Sequence, residues 1–196
     1  MVHPNKEVII KGIKLIIKDK TFNPDPNITN STSILVNNLL NLKEKKVLDV
    51  GCGSGIIAIF CALNGAAEVI ASDIDQDIIE NAKENVRLNK TEEIVKVVKS
   101  DLFENIDGKF DYILANLPIS DKDWNLNIST LDLMKKCLSQ SKSHLKKGGE
   151  VYFTWYDSPS LASLKDYLNE SGWTVTQVTE KRLNHTWHLF KLRLGL

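Results

Sequence analysis

The sequence predicts an α/β protein built on a doubly wound sheet, mainly parallel, with an antiparallel hairpin at its C-terminal end. Three observations carry this expectation. Residues 46 to 65, KVLDVGCGSGIIAIFCALNG, read as a buried strand, a glycine-rich turn and a helix. From there to residue 172 short β-prone runs alternate with helical apolar spacings, the pattern of βαβ units. Beyond residue 172, WTVTQVTEK and HTWHLFKLRL alternate apolar and polar residues with no helical stretch between them, which suits antiparallel pairing.

Composition sets the outer limits. With 196 residues, 42% apolar and 26% charged, the chain can build one domain with a sizeable core. Lys plus Arg equals Asp plus Glu at 25 each, so no overall basic field draws in a polyanion, although a nucleic-acid substrate is not excluded. No stretch offers about 18 consecutive apolar residues, and MVHPNKEVII lacks a long apolar run behind its first charge, so a cytoplasmic enzyme without a membrane partner is expected. Cys52, Cys61 and Cys137 form no C-x-x-C pair and fit a reducing compartment. The histidines show no ligand spacing, and no metal is expected.

Taken in order, VIIKGIKLIIK gives two β-prone runs split at Lys11-Gly12, a hairpin or a bent strand. TFNPDPNITNSTS is an irregular loop, and a helix should begin near Ser31 to Ser33 and turn Ile34, Leu35, Leu39 and Leu40 inward. Val47, Leu48 and Val50 form the first core strand. The helix after it carries Ile56, Ile57, Ile59, Phe60 and Leu63, with Ser54 as N-cap and Gly65 as stop. A second strand, 68 to 72, runs into Asp73. Asp75 caps the next helix, whose expected apolar face is Ile78, Ile79, Ala82, Val86 and Leu88. IVKVVKS is the third strand and FDYILA the fourth. A helix over 129 to 147, with Leu131, Met134, Leu138 and Leu145, precedes Gly148-Gly149 and a fifth strand, EVYFTWY. Ser158-Pro159 suits the start of a last helix that Gly172 stops.

The glycines choose the ligand class. Gly51, Gly53 and Gly55 at every second position let the backbone turn tightly and approach a ligand where a Cβ would collide. A dinucleotide fingerprint needs G-x-G-x-x-G, and its third glycine position is Ile56 here, which weakens an NAD reading. The string Asp49-x-Gly51-x-Gly53-x-Gly55 instead resembles motif I of the class I S-adenosylmethionine-dependent methyltransferases. That resemblance implies a Rossmann-like seven-stranded sheet of order 3-2-1-4-5-7-6, and S-adenosyl-L-methionine as cofactor. It also implies one methyltransferase domain over 1–196, with hairpin, loop and helix in 1–45 and the cofactor-binding core in 46–196.

The same resemblance places Asp49, Gly51, Cys52, Gly53 and Gly55 around the cofactor. Cys52 reads as a small filler in the turn, not a nucleophile. Asp73, at the end of the second strand and 18 residues past Gly55, is placed to accept hydrogen bonds from the ribose hydroxyls, with Ile74 beside the adenine. Asp101 and Leu102 follow the third strand. In the family an acid there receives the adenine amine while the next residue holds the ring; taken alone, Ser-Asp after a strand is more often just a turn former. Pro24-x-Pro26 with Thr32 resembles the segment before motif I in HemK-type glutamine methyltransferases.

Asn116-Leu117-Pro118-Ile119 ends the fourth strand and resembles the N-[LI]-P turns of enzymes that methylate planar nitrogen. A planar amide or aryl amine has a delocalised lone pair, so its N–H groups must be held by aligned acceptors. Asn116 supplies a side-chain carbonyl, and the Leu117 backbone carbonyl, restricted by Pro118, supplies another. These three are the catalytic candidates, and Asn116 also counts among the cofactor contacts. No strong base is required, because the cofactor is already activated. Ile119 stands where an aromatic usually stacks on a target base. Trp124 either replaces that platform or packs on the domain. The expected function is methylation of an amide or exocyclic amine nitrogen in a protein or RNA. A small-molecule methyltransferase, or a catalytically silent cofactor-binding module acting with a partner, remains as an alternative, and an accessory protein is a possible partner.

Overall fold

The computed structural model describes residues 6–27, 29–39, 41–119, 127–182 and 184–195. Two antiparallel strands, β1 (Lys6–Ile10) and β2 (Ile13–Ile17), open it as a separate sheet. Lys11 and Gly12 between them both have positive φ (51° and 80°), the left-handed two-residue turn that matches strand twist. The irregular loop follows and leads to α1 (Ser31–Asn37). The main sheet and its helices are β3 (Lys46–Val50), α2 (Ile56–Leu63), β4 (Glu68–Asp73), α3 (Gln76–Leu88), β5 (Val95–Lys99) and β6 (Phe110–Ala115), continuing with α4 (Thr130–His144), β7 (Leu145–Tyr156), α5 (Leu161–Glu170), β8 (Trp173–Arg182) and β9 (His185–Leu194).

Among the described residues the main sheet has seven strands in the order β5-β4-β3-β6-β7-β9-β8. Pairing is parallel from β5 to β7 and antiparallel from β7 through β9 to β8. Numbered within this sheet the order is 3-2-1-4-5-7-6, as the family resemblance implies. The two faces bury separate cores. One joins β2, α1 and α2 to Val47, Leu114, Tyr152 and Leu189; the other joins Met134, Cys137 and Leu138 of α4 to Phe110, Ile113, Phe153 and Trp155. Strands buried on both faces need continuous apolar runs. Val47, Leu48 and Val50 of β3 are at most 1% exposed. No helix of the described residues is long and apolar enough to cross a membrane.

Several local expectations are corrected. Gly55, with φ 81°, is the N-cap of α2 and not Ser54, because the chain must leave the turn through the left-handed region. Leu63 and Leu88 are 55% and 44% exposed, not core residues. Leu39 lies past the end of α1, where it still packs against the core, and Leu40 is outside the described residues. The helix before Gly148-Gly149 stops at His144, and Leu145 already belongs to β7, where it pairs with Phe110. A register shift between Phe110 and Tyr112 absorbs the extra residues of β7 around Gly148, whose φ is 76°. The N-cap of α5 is Ser160, and Ser158 instead accepts a hydrogen bond from the Trp155 indole at 3.0 Å.

Candidate active site

The parallel strands β3, β4, β5 and β6 all end on one side, and the glycine turn, Asp73, Asp101 and Asn116 sit at those ends, where open α/β sheets bind ligands. The turn is left-handed at Gly51 (69°), Gly53 (53°) and Gly55 (81°). Because Gly55 has no side chain to cap α2, Asp49 performs that task from inside the sheet: its Oδ2 accepts the Ala58 N–H at 3.1 Å. Its Oδ1 has no partner among the described residues, although Asp49 is fully buried. Burial pushes the Asp49 carboxyl up to about 7, against the Ala58 N–H, with the neighbouring Asp73 charge adding to the rise.

Asp73 ties the turn to the second strand. Its Oδ2 accepts the Gly53 N–H and its Oδ1 the Asp75 N–H, both at 3.2 Å. Burial raises its pKa while backbone N–H groups of Asp75, Gly53 and Ile74 oppose the rise. Ile74 beside it is 61% exposed, an apolar side chain presented at the mouth of the crevice. The Ser100 N–H donates to the Asp73 carbonyl at 2.8 Å, which brings the Asp101-Leu102 turn to the same place. Leu102 is buried in the left-handed region (φ 49°), and Asp101 pairs with Lys136 of α4 at 3.4 Å. Burial and the Asp49 and Asp73 carboxylates raise the Cys52 thiol well above its ordinary value, which disfavours a thiolate there.

Asn116 is held on both sides. Its Nδ2 donates to Thr32 Oγ1 of α1 at 3.3 Å, and its Oδ1 accepts from Thr154 Oγ1 of β7 at 2.7 Å. Thr32 therefore reaches the fourth-strand turn across 84 residues of sequence. The Leu117 side chain packs over the first glycine of the turn, and a Cβ on Gly51 would meet its Cδ2 at 2.5 Å. Ile119 packs against both cores. Trp124 lies outside the described residues. Surface depressions of about 240 Å³ beside Leu39 and Phe60 and about 220 Å³ beside Val86 and Arg87 contain none of these residues.

A family model for the methyltransferase small domain matches residues 18–183, most of the chain. The chain belongs to the methyltransferase small domain family. A relative from Methanocaldococcus jannaschii, described provisionally as a protein N5-glutamine methyltransferase, is 34% identical over 173 residues, covering 82% of this chain and 83% of the relative. A ribosomal protein L11 methyltransferase from Bacillus cytotoxicus is 51% identical over 132 residues, or 67% of this chain, which spans only 38% of that enzyme. Among solved structures, a methyltransferase from Pyrococcus furiosus superposes with TM-score 0.77 at 21% identity, over 95% of this chain and 91% of the other. The L11 methylase of Lactobacillus delbrueckii subsp. bulgaricus gives TM-score 0.70 at 25% identity, over 89% and 82%. This small-domain methyltransferase thus shares the class I fold, whose members typically use S-adenosylmethionine.

Thr154 and an asparagine ladder behind the glycine turn escape the sequence reading of the methyltransferase's site. Thr154 is fully buried in the apolar run VYFTWY, where a lone hydroxyl was the available signal. Asn81 and Asn85 of α3 are fully buried and, with Asn89, form a ladder of amides along β2. Asn89 Nδ2 donates to Lys14 O at 2.7 Å and Asn85 Oδ1 accepts from Ile16 N at 2.8 Å. Asn81 Oδ1 accepts from Lys18 N at 3.3 Å. Asn85 Nδ2 also donates to Ser54 O at 2.9 Å, so the hairpin, α3 and the glycine turn share one side chain. Their spacing of four residues along a helix was the signal. Among the described residues no group of His, Cys, Asp and Glu could hold a metal ion.

Proposed function

We propose that this methyltransferase uses S-adenosylmethionine to methylate a planar nitrogen in the cytoplasm, with the side-chain amide of a protein as the favoured acceptor and an RNA base amine as the other member of the class. The observation that carries the reading is the contact between Leu117 and Gly51, which packs the turn that begins at Asn116 against the glycine turn. The 34% identity to the N5-glutamine methyltransferase relative supports the amide. So does the chemistry of Asn116: after its bonds to Thr32 and Thr154 it retains one N–H and one carbonyl lone pair, a donor and acceptor set complementary to a primary amide.

The residues at the strand ends fit the cofactor. A left-handed turn with open space at the Cα of Gly53, an unpartnered buried oxygen on Asp49 and an exposed apolar Ile74 together suit a ligand with cationic, polar and ring parts. Asp49, Gly51, Cys52, Gly53 and Gly55 would line its amino-acid end, Asp73 its ribose, and Ile74, Asp101 and Leu102 its adenine. When bound, it supplies an electrophilic methyl group on a sulfonium. The chain's own part is positioning: the Asn116 and Leu117 carbonyls hold the acceptor N–H groups in line, and Pro118 keeps Leu117 extended. Residues 1–45 belong to the same domain in this reading, which the amide ladder on β2 supports.

Mass spectrometry of proteins and RNA from cells lacking the gene tests the assignment. The expected result is a glutamine or asparagine side chain that has lost a methyl mark. A mark missing from a base amine would move the acceptor to RNA; a mark missing from oxygen or carbon would refute nitrogen transfer.

A further inference from the structure

Resting on the nitrogen-transfer reading, we propose that Thr154 is a positioning residue for the reaction, holding the Asn116 carbonyl in the orientation that receives the acceptor N–H. Thr154 lies in β7, one strand away from Asn116, next to Phe153, the partner of Ala115 across the sheet. It is 0% exposed, in a strand where Val151, Tyr152, Phe153 and Trp155 are also buried. A hydroxyl taken out of water there costs free energy unless it is bonded. Its side-chain bond runs to Asn116 Oδ1 at 2.7 Å, the usual length of a well-formed O–H···O bond. Asn116 itself is only half-buried, at the end of its strand, where its amide would otherwise rotate freely.

Two hydroxyls from different layers therefore grip one amide. Thr154 occupies one lone pair of Oδ1 from within the sheet, and Thr32 takes one N–H from α1, which lies over that face. Together they fix the amide plane. The second lone pair of Oδ1 and the second N–H then have set directions before any acceptor arrives, and pre-aligned dipoles of this kind lower the barrier without tightening the ground state. Thr32 and Thr154 differ in rank: the Thr32 contact is longer, at 3.3 Å, and is made by a short helix, whereas the Thr154 contact is shorter and rooted in the central sheet. Thr154 is accordingly the residue whose loss is felt in turnover.

A hydroxyl that merely satisfied the core would be replaceable by the isosteric Val without a kinetic signature. The test uses the full chain with tritiated S-adenosylmethionine, and total protein and total RNA from cells lacking the gene as acceptors, scored separately. Thr154→Val, Thr154→Ser, Asn116→Ala and the double variant are compared, with S-adenosylhomocysteine affinity and thermal unfolding measured on each. Thr154→Val is expected to lower the saturated transfer rate about tenfold or more while cofactor-product affinity stays within twofold; Thr154→Ser, which keeps the hydroxyl, returns to within threefold of the parent. In the Asn116→Ala background Thr154→Val should cost less than twofold, because the group that it positions is gone.

Transfer by Thr154→Val within twofold of the parent overturns the proposal, and so does an equal loss in Thr154→Ser and Thr154→Val. If Thr154→Val does not fold, Thr154→Ser and Thr154→Cys decide: Ser must retain transfer and Cys, a weak donor, must lose it with affinity intact, or the proposal fails. Loss in Asn116→Ala without loss in Thr154→Val refutes Thr154 alone. Unchanged transfer in Asn116→Ala, or a parent chain that labels neither fraction, refutes the nitrogen-transfer reading and the role of Thr154 with it.

Discussion

The side chain of Leu117 fills the space that a Cβ on Gly51 would need, with Cδ2 2.5 Å from that position. The first glycine of one motif is thus required by the second residue of another, 66 positions later in the chain, and the turn on β3 and the turn on β6 are packed as one unit. Gly53 presents no such neighbour within 4 Å, although its φ is also positive.

Alanine at these two positions should separate strain from crowding. Left-handed backbone costs a residue with a Cβ about 1–2 kcal/mol, so both variants lose stability. Gly51→Ala should lose more in urea unfolding, because Leu117 must also move. Equal losses would mean that the Leu117 contact carries no weight.

Under the proposed cofactor reading, Asp73 receives the ribose hydroxyls. Asp73→Ala should weaken S-adenosylmethionine binding by about 1.5–3 kcal/mol, the range for hydrogen bonds to a charged group, while NAD binds neither the parent nor the variant. Calorimetry decides; affinity unchanged in Asp73→Ala would remove this residue from the cofactor site.

Asp49 gives a pH signature. Its folded pKa, about 7, is above the usual carboxylate value, so the folded state holds this proton more tightly than the unfolded chain. Its contribution to stability is complete below about pH 4 and is lost as pH rises through 7, up to about 4 kcal/mol for a shift of this size. Asp49→Asn keeps an acceptor for the Ala58 N–H and removes the proton. The parent should lose stability relative to Asp49→Asn between pH 5 and pH 8 in urea unfolding. A difference that stays flat across that range would contradict the buried-acid picture.

The asparagine ladder predicts a graded response. Asn85→Ala removes bonds to Ile16 N, Ile16 O and Ser54 O from a fully buried site and should cost about 3 kcal/mol, at roughly 1 kcal/mol per bond. Asn89→Ala also removes three bonds, but at the half-buried far end water replaces much of them, and the loss should be about 1 kcal/mol in all. Hydrogen exchange should rise first at Ile16 in Asn85→Ala and first at Lys14 in Asn89→Ala, with Lys18, held by Asn81, least affected in both. Uniform exchange in both variants would show that the hairpin docks without these amides.

Local chemistry is what the sequence expresses well. The glycine turn, Asp73 at the end of β4 and the Asp75 cap, whose Oδ1 accepts the Asp77 N–H at 2.7 Å, were all legible because each depends on residues within a few positions. The sheet order followed from family resemblance. Where capping depended on distant groups, local polarity misled: Ser54 lies beside the start of α2, but Asp49 caps that helix from the strand before it. Apolar patterning failed on α3 for a related reason. Leu88 looked like core but is exposed, whereas Asn85, which apolar patterning passes over, is buried because β2, 69 residues earlier, offers an open backbone edge for its amide. Thr154 likewise gains meaning only once the fold brings it to Asn116, and Thr32, picked out by family resemblance, gains its partner there.

The most direct test of nitrogen alignment compares cofactor affinity and methyl transfer in Asn116→Ala. With Asn116 aligning the acceptor and adding little to cofactor binding, affinity for S-adenosylmethionine should stay within about twofold of the parent while turnover on the labelled acceptor falls by roughly 10² or more, equivalent to about 2.7 kcal/mol of positioning. Unchanged turnover in Asn116→Ala would contradict the assignment and leave a methyltransferase fold whose acceptor is held by other residues.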